Sequence, residues 1–323
     1  MRRREFMLAL GGVAAWPIPV RAQRAKSPVR LGFLPLGSPE NKYDQSLVEA
    51  FRQGLNQVGL VENRDILLDV AWTSGDPNQA VSEVLKRGAD VLITCGSSAS
   101  VAAKGQTSTI PIVFVSVGDP IAMGLADSLS RPSRNATGFS DMLTDLSGKL
   151  VDLASGFPQG SIHYLWHTAW PDGQNRYEST EKAAQAVGMT LQSKGIADIG
   201  QLDDALLALR NSGSRVVVVQ PSPLTYGQRR RIITSAMNSG LGTIYAFPVA
   251  AREGSLLAYG PDYTYMYRRA PIYVERILKG GNPADLPVEQ PTKIEFLVNL
   301  GTAKALGIEV PLSLLIRADE LLE

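Results

Sequence analysis

The stretch Asp90-Val91-Leu92-Ile93-Thr94-Cys95-Gly96-Ser97-Ser98 decides how the chain is read. Val91 to Cys95 run without polar alternation, the pattern of a strand buried on both faces. Gly96 stops the run, and helical spacing over residues 99–104 follows at once. A strand passing directly into a helix through a short polar turn is the repeating unit of a doubly wound α/β sheet. The unit recurs on either side. Upstream, residues 29–34 form an apolar run closed by Pro35, Gly37 and Pro39. Leu47, Val48, Phe51, Leu55 and Val58 then keep helical spacing, residues 66–72 read as a strand, and residues 81–87 as a helix ended by Gly88. Downstream, residues 111–115 are a strand stopped by Gly118-Asp119-Pro120.

The pattern then starts again. Helices are expected over residues 146–153, 177–187, 202–209 and 229–238, alternating with strands over 162–166, 189–192, 216–219 and 243–247. Two α/β lobes in tandem follow, with the Pro-, Ser- and Asn-rich residues 131–138 as the expected crossing between them. The tail is surplus to this plan. A helix over 265–278, a proline-rich extended piece over 283–291, a strand over 295–298 and a helix over 302–306 predict that the chain crosses between the lobes more than once.

Composition limits the function. At 323 residues the chain is long enough for two cores. With 44% hydrophobic and 20% charged residues it is neither disordered nor a coiled coil. A net charge of +1 leaves no footprint for nucleic acid. The single cysteine allows no internal disulfide, and with only two histidines a structural zinc site is not expected. The first residues read as an export signal: a basic start, a short apolar stretch over residues 8–20, and a cleavage context at Val20-Arg21-Ala22. Arg3-Arg4-Glu5-Phe6 resembles a twin-arginine signal, and general secretion is the alternative. No cysteine stands near the cleavage point, so a lipid anchor is not expected. Removing residues 1–22 takes away four arginines and Glu5, so the net charge passes from +1 to −2. The expected location is the periplasm.

Ligands of doubly wound sheets bind beyond the carboxyl ends of the strands. In the first lobe those positions put forward Leu36, Gly37, Ser97, Ser98, Val117 and Asp119. In the second they put forward His167, Trp170, Gln220, Ser222 and Phe247. The first set is small and polar. Serine hydroxyls and free N–H groups at a helix start can hold a carboxylate, or the serines can simply cap the helix. The second set, with Trp166, Tyr226 and Tyr245 nearby, suits a flat apolar ligand part, or an ordinary core. Asp119 can accept from a ligand or cap the turn after Pro120. No nucleophile elbow, phosphate loop or dinucleotide fingerprint occurs, so no catalytic residue is assigned. His163 and His167 lack a third metal ligand in sequence, and Cys95 lacks a neighbouring histidine. No metal or cofactor is expected.

Several motifs bring a family into view. They are Tyr259-Gly260-Pro261-Asp262, Tyr267-Arg268-Arg269-Ala270, Ile277-Leu278-Lys279-Gly280, the run from Pro283 to Pro291, Ala303-Lys304-Ala305-Leu306-Gly307 and Arg317-Ala318-Asp319-Glu320. Upstream, Gly118-Asp119-Pro120, Ser128-Leu129-Ser130-Arg131-Pro132 and Asn135-Ala136-Thr137-Gly138 belong to the same set. Over nearly its full length the chain resembles the ABC-transporter substrate-binding proteins related to tryptophan- and tyrosine-binding receptors. The resemblance implies a type I periplasmic-binding-protein fold: two lobes, a hinge of three strands, and ligand capture between the lobes. It implies lobes at 28–140 plus 262–289 and 141–261 plus 290–323. It further implies a monomer that hands a small ligand to a permease and its ATPase at the inner membrane. A ligand-sensing receptor without transport, or an exported hydrolase, is the alternative. The chain departs from the pattern at Glu253-Gly254-Ser255-Leu256. It also reads Gln220-Pro221-Ser222-Pro223 where amino-acid-binding relatives often place an acidic group. The missing carboxylate argues against an amino acid, whereas an aromatic carboxylate, which has no ammonium to meet, stays compatible with the serines and the rings.

Overall fold

The computed structural model describes residues 27–73, 75–143, 146–170 and 172–323. The expected export signal lies outside the described residues. The first lobe is built from β1 (Val29–Leu34), α1 (Lys42–Gln57), β2 (Ile66–Val70), α2 (Pro77–Lys86), β3 (Val91–Cys95), α3 (Ser97–Gln106), β4 (Ile112–Val117) and β5 (Ala136–Ser140). Its strands run parallel in the order β2-β1-β3-β4-β5. Every residue of β3, β4 and β5 is buried, as continuous apolar runs require when helices cover both faces.

The second lobe begins with α4 (Ser147–Ser155), β6 (Ser161–His167), α5 (Gly173–Ala186), β7 (Thr190–Ile196), α6 (Leu202–Asn211) and β8 (Val216–Val219). It continues through α7 (Pro223–Gly227), α8 (Arg229–Asn238), β9 (Gly242–Tyr245), α9 (Pro248–Arg252) and β10 (Leu257–Pro261). The chain then forms α10 (Tyr263–Arg269) and α11 (Pro271–Leu278), which pack against α1 of the first lobe. It returns for β11 (Ile294–Asn299), α12 (Leu300–Leu306), α13 (Leu312–Arg317) and β12 (Glu320–Leu322). The second sheet has the order β12-β11-β10-β9-β8-β6-β7, parallel except where β10 meets β11.

The chain thus passes between the sheets at three places: after β5, after β10 and before β11. The first and third run side by side. The Ser140 N–H donates to the Glu289 carbonyl at 3.0 Å, and the Glu289 N–H to the Gly138 carbonyl at 2.9 Å. Three crossings are what the family resemblance implies; the surplus tail by itself predicts only that the chain crosses more than once.

Some elements differ from the sequence reading. Residues 131–138 were expected to cross, yet Ala136–Ser140 complete the first sheet, because Thr137 and Ser140 are polar strand residues buried with hydrogen-bond partners. The long helix over 265–278 divides at Pro271, whose ring suits the first turn of a new helix.

The contact that brings α10 back onto the first lobe depends on a small residue. A Cβ at Gly54 of α1 would lie 2.1 Å from the Arg268 carbonyl oxygen and 2.9 Å from Pro271 Cγ. Gly54→Ala should lower stability by about 1–3 kcal/mol, read as an earlier midpoint in urea; an unchanged midpoint would contradict this packing.

Candidate functional site

Between the lobes lies a cavity of about 660 Å³. Its lining comes from the carboxyl ends of strands in both sheets. Leu36, Gly37 and Ser38 follow β1, and Thr73 and Gly75 follow β2. Cys95 closes β3, with Gly96, Ser97, Ser98 and Ala99 after it; Ser116 and Gly118 stand at the end of β4. Asp141 and Leu143 follow β5. From the second lobe come Trp170 and Arg176 after β6, Ser222, Leu224 and Tyr226 after β8, and Phe247 after β9. Tyr263 enters from the second crossing.

One wall is the start of α3. Gly96 occupies the cap with φ +81°, a left-handed conformation that a side chain would strain, and no side chain caps the helix. Ser97 and Ser98 are therefore the first two helical residues rather than caps. The unspent N–H groups of this turn carry the positive end of the helix dipole at the cavity wall, which suits an anion. Ser116, next along the sheet, is a non-glycine residue at φ +60° beside a register shift in β4. Its buried hydroxyl has no hydrogen-bond partner among the described residues. Backbone strain and an unspent polar atom at one cavity-lining residue mark a functional position.

The opposite wall is aromatic. Tyr226 meets Phe247 edge-on at 5.0 Å, and Phe247 meets Tyr263 at 6.0 Å. Trp170 lies under the Arg176 guanidinium at 4.9 Å. Where lobe meets crossing, the Tyr263 hydroxyl donates to Asp141 Oδ2 at 3.2 Å, and the Leu143 N–H donates to Asp141 Oδ1 at 3.1 Å. Burial pushes the Asp141 carboxyl above its ordinary range, with Arg176 opposing the shift.

A second polar cluster joins the lobes beside the cavity. Arg229 of α8, 1% exposed, reaches Asp44 of α1 at 3.2 Å and Glu253 at 2.8 Å. The Tyr226 hydroxyl donates to the same Asp44 oxygen at 2.9 Å, and the Ser38 N–H donates to the other at 3.0 Å. Asp44 thereby touches the β1 loop and the Tyr226 ring, both of which line the cavity.

The structure brings together Leu36, Gly37, Ser97, Ser98, Trp170, Ser222 and Phe247 of the residues named from sequence. Val117 stands between two lining residues without lining the cavity itself. Asp119 caps its turn by accepting from the N–H groups of Ile121 and Ala122 at 3.0 and 2.9 Å. His167 and Gln220 stand behind the wall. The Gln220 amide accepts from the His167 N–H at 3.0 Å and donates to the Gly173 carbonyl at 2.9 Å, clipping two loops together. Trp166 packs on Tyr177 and Tyr245 sits in the core. Cys95 lines the cavity, but burial pushes its thiol up to about 12, so it is no nucleophile at neutral pH. Among the described residues no cluster of three potential ligands could hold a metal ion. Sequence reasoning passed over Asp141, Arg176, Ser116 and Tyr263.

A family model for "ABC transporter substrate binding protein" matches residues 43–322. The chain belongs to this family. Its role is therefore binding rather than catalysis, and proteins of this family typically work outside the cytoplasm. A tyrosine-binding protein of Clostridioides difficile is 24% identical over 272 residues, covering 81% of this chain and 76% of the relative. Among solved structures, a Streptococcus pneumonia ABC domain in complex with L-Trp superposes with a TM-score of 0.81 at 19% identity, covering 92% of this chain and 100% of that one. A conserved domain protein from Vibrio cholerae gives 0.78 at 22% identity, covering 91% and 99%. At these identities the likeness is one of fold, the type I periplasmic-binding-protein fold already visible in the two sheets and three crossings.

Proposed function

We propose that this substrate-binding protein captures a small carboxylate-bearing ligand, aromatic or amino-acid-like, between its lobes in the periplasm and delivers it to a permease and its ATPase. The observation that carries the reading is the pairing across one cavity of the uncapped α3 turn with the Trp170, Tyr226 and Phe247 rings. The helix start suits the carboxylate and the rings suit a flat body. The ligands of two relatives, tyrosine and L-Trp, have both parts. Ligand lands first on the lobe carrying Ser97 and Ser98, and the second lobe then covers it. Closure is favoured only as far as the ligand prefers the closed form.

A thermal-shift panel of amino acids, aromatic acids, sugars and nucleosides tests the reading, since a ligand that binds only the folded state raises the melting temperature. The aromatic acids or amino acids should shift it. The double variant Ser97→Ala, Ser98→Ala should weaken their binding about tenfold, the worth of one hydrogen bond to a charged group. Shifts confined to sugars or nucleosides, or unchanged affinity in the double variant, would overturn it.

A further inference from the structure

Two opposite charges line the cavity without meeting. Asp141, at the first crossing, is 3% exposed and among the described residues accepts from the Leu143 N–H and the Tyr263 hydroxyl. Arg176, on α5 of the second lobe, is 2% exposed. Its Nε donates to Asp172 at 2.7 Å, and its plane lies over the Trp170 ring. Among the described residues its Nη1 has no hydrogen-bond partner. Among the described residues Asp141 forms no ion pair, and Asp172 is the partner of Arg176. A buried guanidinium donor held in place on two sides and unspent on the third is set for an acceptor that comes and goes. A buried carboxylate with unused acceptor capacity facing the same space calls for a cation that does the same.

We propose that Asp141 and Arg176 clamp the head group of a zwitterionic α-amino acid, the ammonium on Asp141 and the carboxylate between Arg176 Nη1 and the α3 turn. The proposal rests on the carboxylate-binding reading above and narrows it. A plain aromatic acid leaves Asp141 without its countercharge, and an amine leaves Arg176 and the helix start without theirs. Both losses occur in a water-poor site, where unpaired charge is most costly. The clamp also links recognition to closure. The α3 turn belongs to the first lobe and Arg176 to the second, so the carboxylate gains its second partner only when the lobes are together. That contact is a differential affinity for the closed form.

The test uses the purified protein and two sets of probes, read by calorimetry. One set is L-tryptophan, indolepropionate and tryptamine; the other is L-tyrosine, hydroxyphenylpropionate and tyramine. In at least one set the amino acid should bind, with each truncated probe roughly a hundredfold weaker. Arg176→Met should weaken the amino acid and its des-amino acid roughly a hundredfold and leave the amine nearly unchanged. A des-amino acid as tight as its amino acid would overturn the clamp, and so would an Arg176→Met affinity within a few-fold of the original. Either result would leave the carboxylate reading standing. Failure of every carboxylate probe would overturn both. The comparison of probes needs no variant, so it stands even if Arg176→Met fails to fold.

Discussion

Arg229→Met should destabilise the protein by about 3–5 kcal/mol at neutral pH, the usual cost of removing one partner from a buried ion pair. The guanidinium spends its donors on Asp44, Glu253 and the Tyr226 carbonyl, and it lies 4.5 Å over the Tyr226 ring. Without it, two carboxylates stay in a site where they are 2% and 8% exposed. The pH dependence follows in sign. Burial already raises the Asp44 carboxyl above its ordinary value, and Arg229 is the strongest opposing influence. A carboxyl whose folded value is raised costs stability above its unfolded value of about 3.9. That cost grows until the pH passes the folded value. Loss of Arg229 raises the folded value further, so the deficit should be largest at neutral pH and shrink on acidification toward pH about 4. Urea titrations of both proteins at the two pH values read this directly. A deficit that is equal at both, or absent at neutral pH, would contradict the account. In the same titrations Asp44→Asn should be milder, because Arg229 keeps Glu253 as its countercharge and the amide oxygen can still accept from Arg229 and Tyr226.

Asp141→Asn should act in opposite directions on stability and binding. The folded carboxyl is raised by burial, so its ionised form is a cost to the unliganded protein above the ordinary carboxylate range. A neutral amide removes that cost, and the unliganded melting temperature should hold or rise. The same change removes the anion that meets the ligand's ammonium, and amino-acid affinity should fall roughly a hundredfold. At a ligand concentration of about a hundred times the original Kd, the ligand's stabilisation should drop from about 2.7 to about 0.4 kcal/mol. Melting curves with and without amino acid show both effects in one experiment. A variant that melts earlier when unliganded and keeps its full ligand shift would make Asp141 a structural residue only.

The sequence made the frame legible and hid the charges. β1, β3, β4 and β8 announce themselves as mainly apolar runs, and the ends of β1, β3 and β8 pointed to Leu36, Ser97, Ser98 and Ser222 as lining residues. Asp141 was hidden because β5, Ala-Thr-Gly-Phe-Ser, has no such run. With its strand unread, the residue after it looked like part of a linker. Arg176 was hidden for another reason. An arginine in the first turn of a helix ordinarily faces solvent, and its burial here depends on the Trp170 ring and the facing lobe, which no local pattern encodes. β10 was hidden because only four residues separate it from the α9 turn and its own five, Leu-Ala-Tyr-Gly-Pro, form no long apolar run. Asp119, His167 and Gln220 show the converse. They stand at strand ends as site residues should, yet the Asp119 and Gln220 side chains are spent on holding loops, and His167 joins them through its main-chain N–H.

The most direct test of the whole account is a crystal structure of the protein grown with the amino acid that gives the largest thermal shift. The account predicts ligand density between the lobes, with the carboxylate at the Ser97–Ser98 turn and Arg176, the ammonium at Asp141, and the side chain among Trp170, Tyr226 and Phe247. Ligand bound outside this cavity, or bound within it with its carboxylate turned away from the α3 turn, would contradict it.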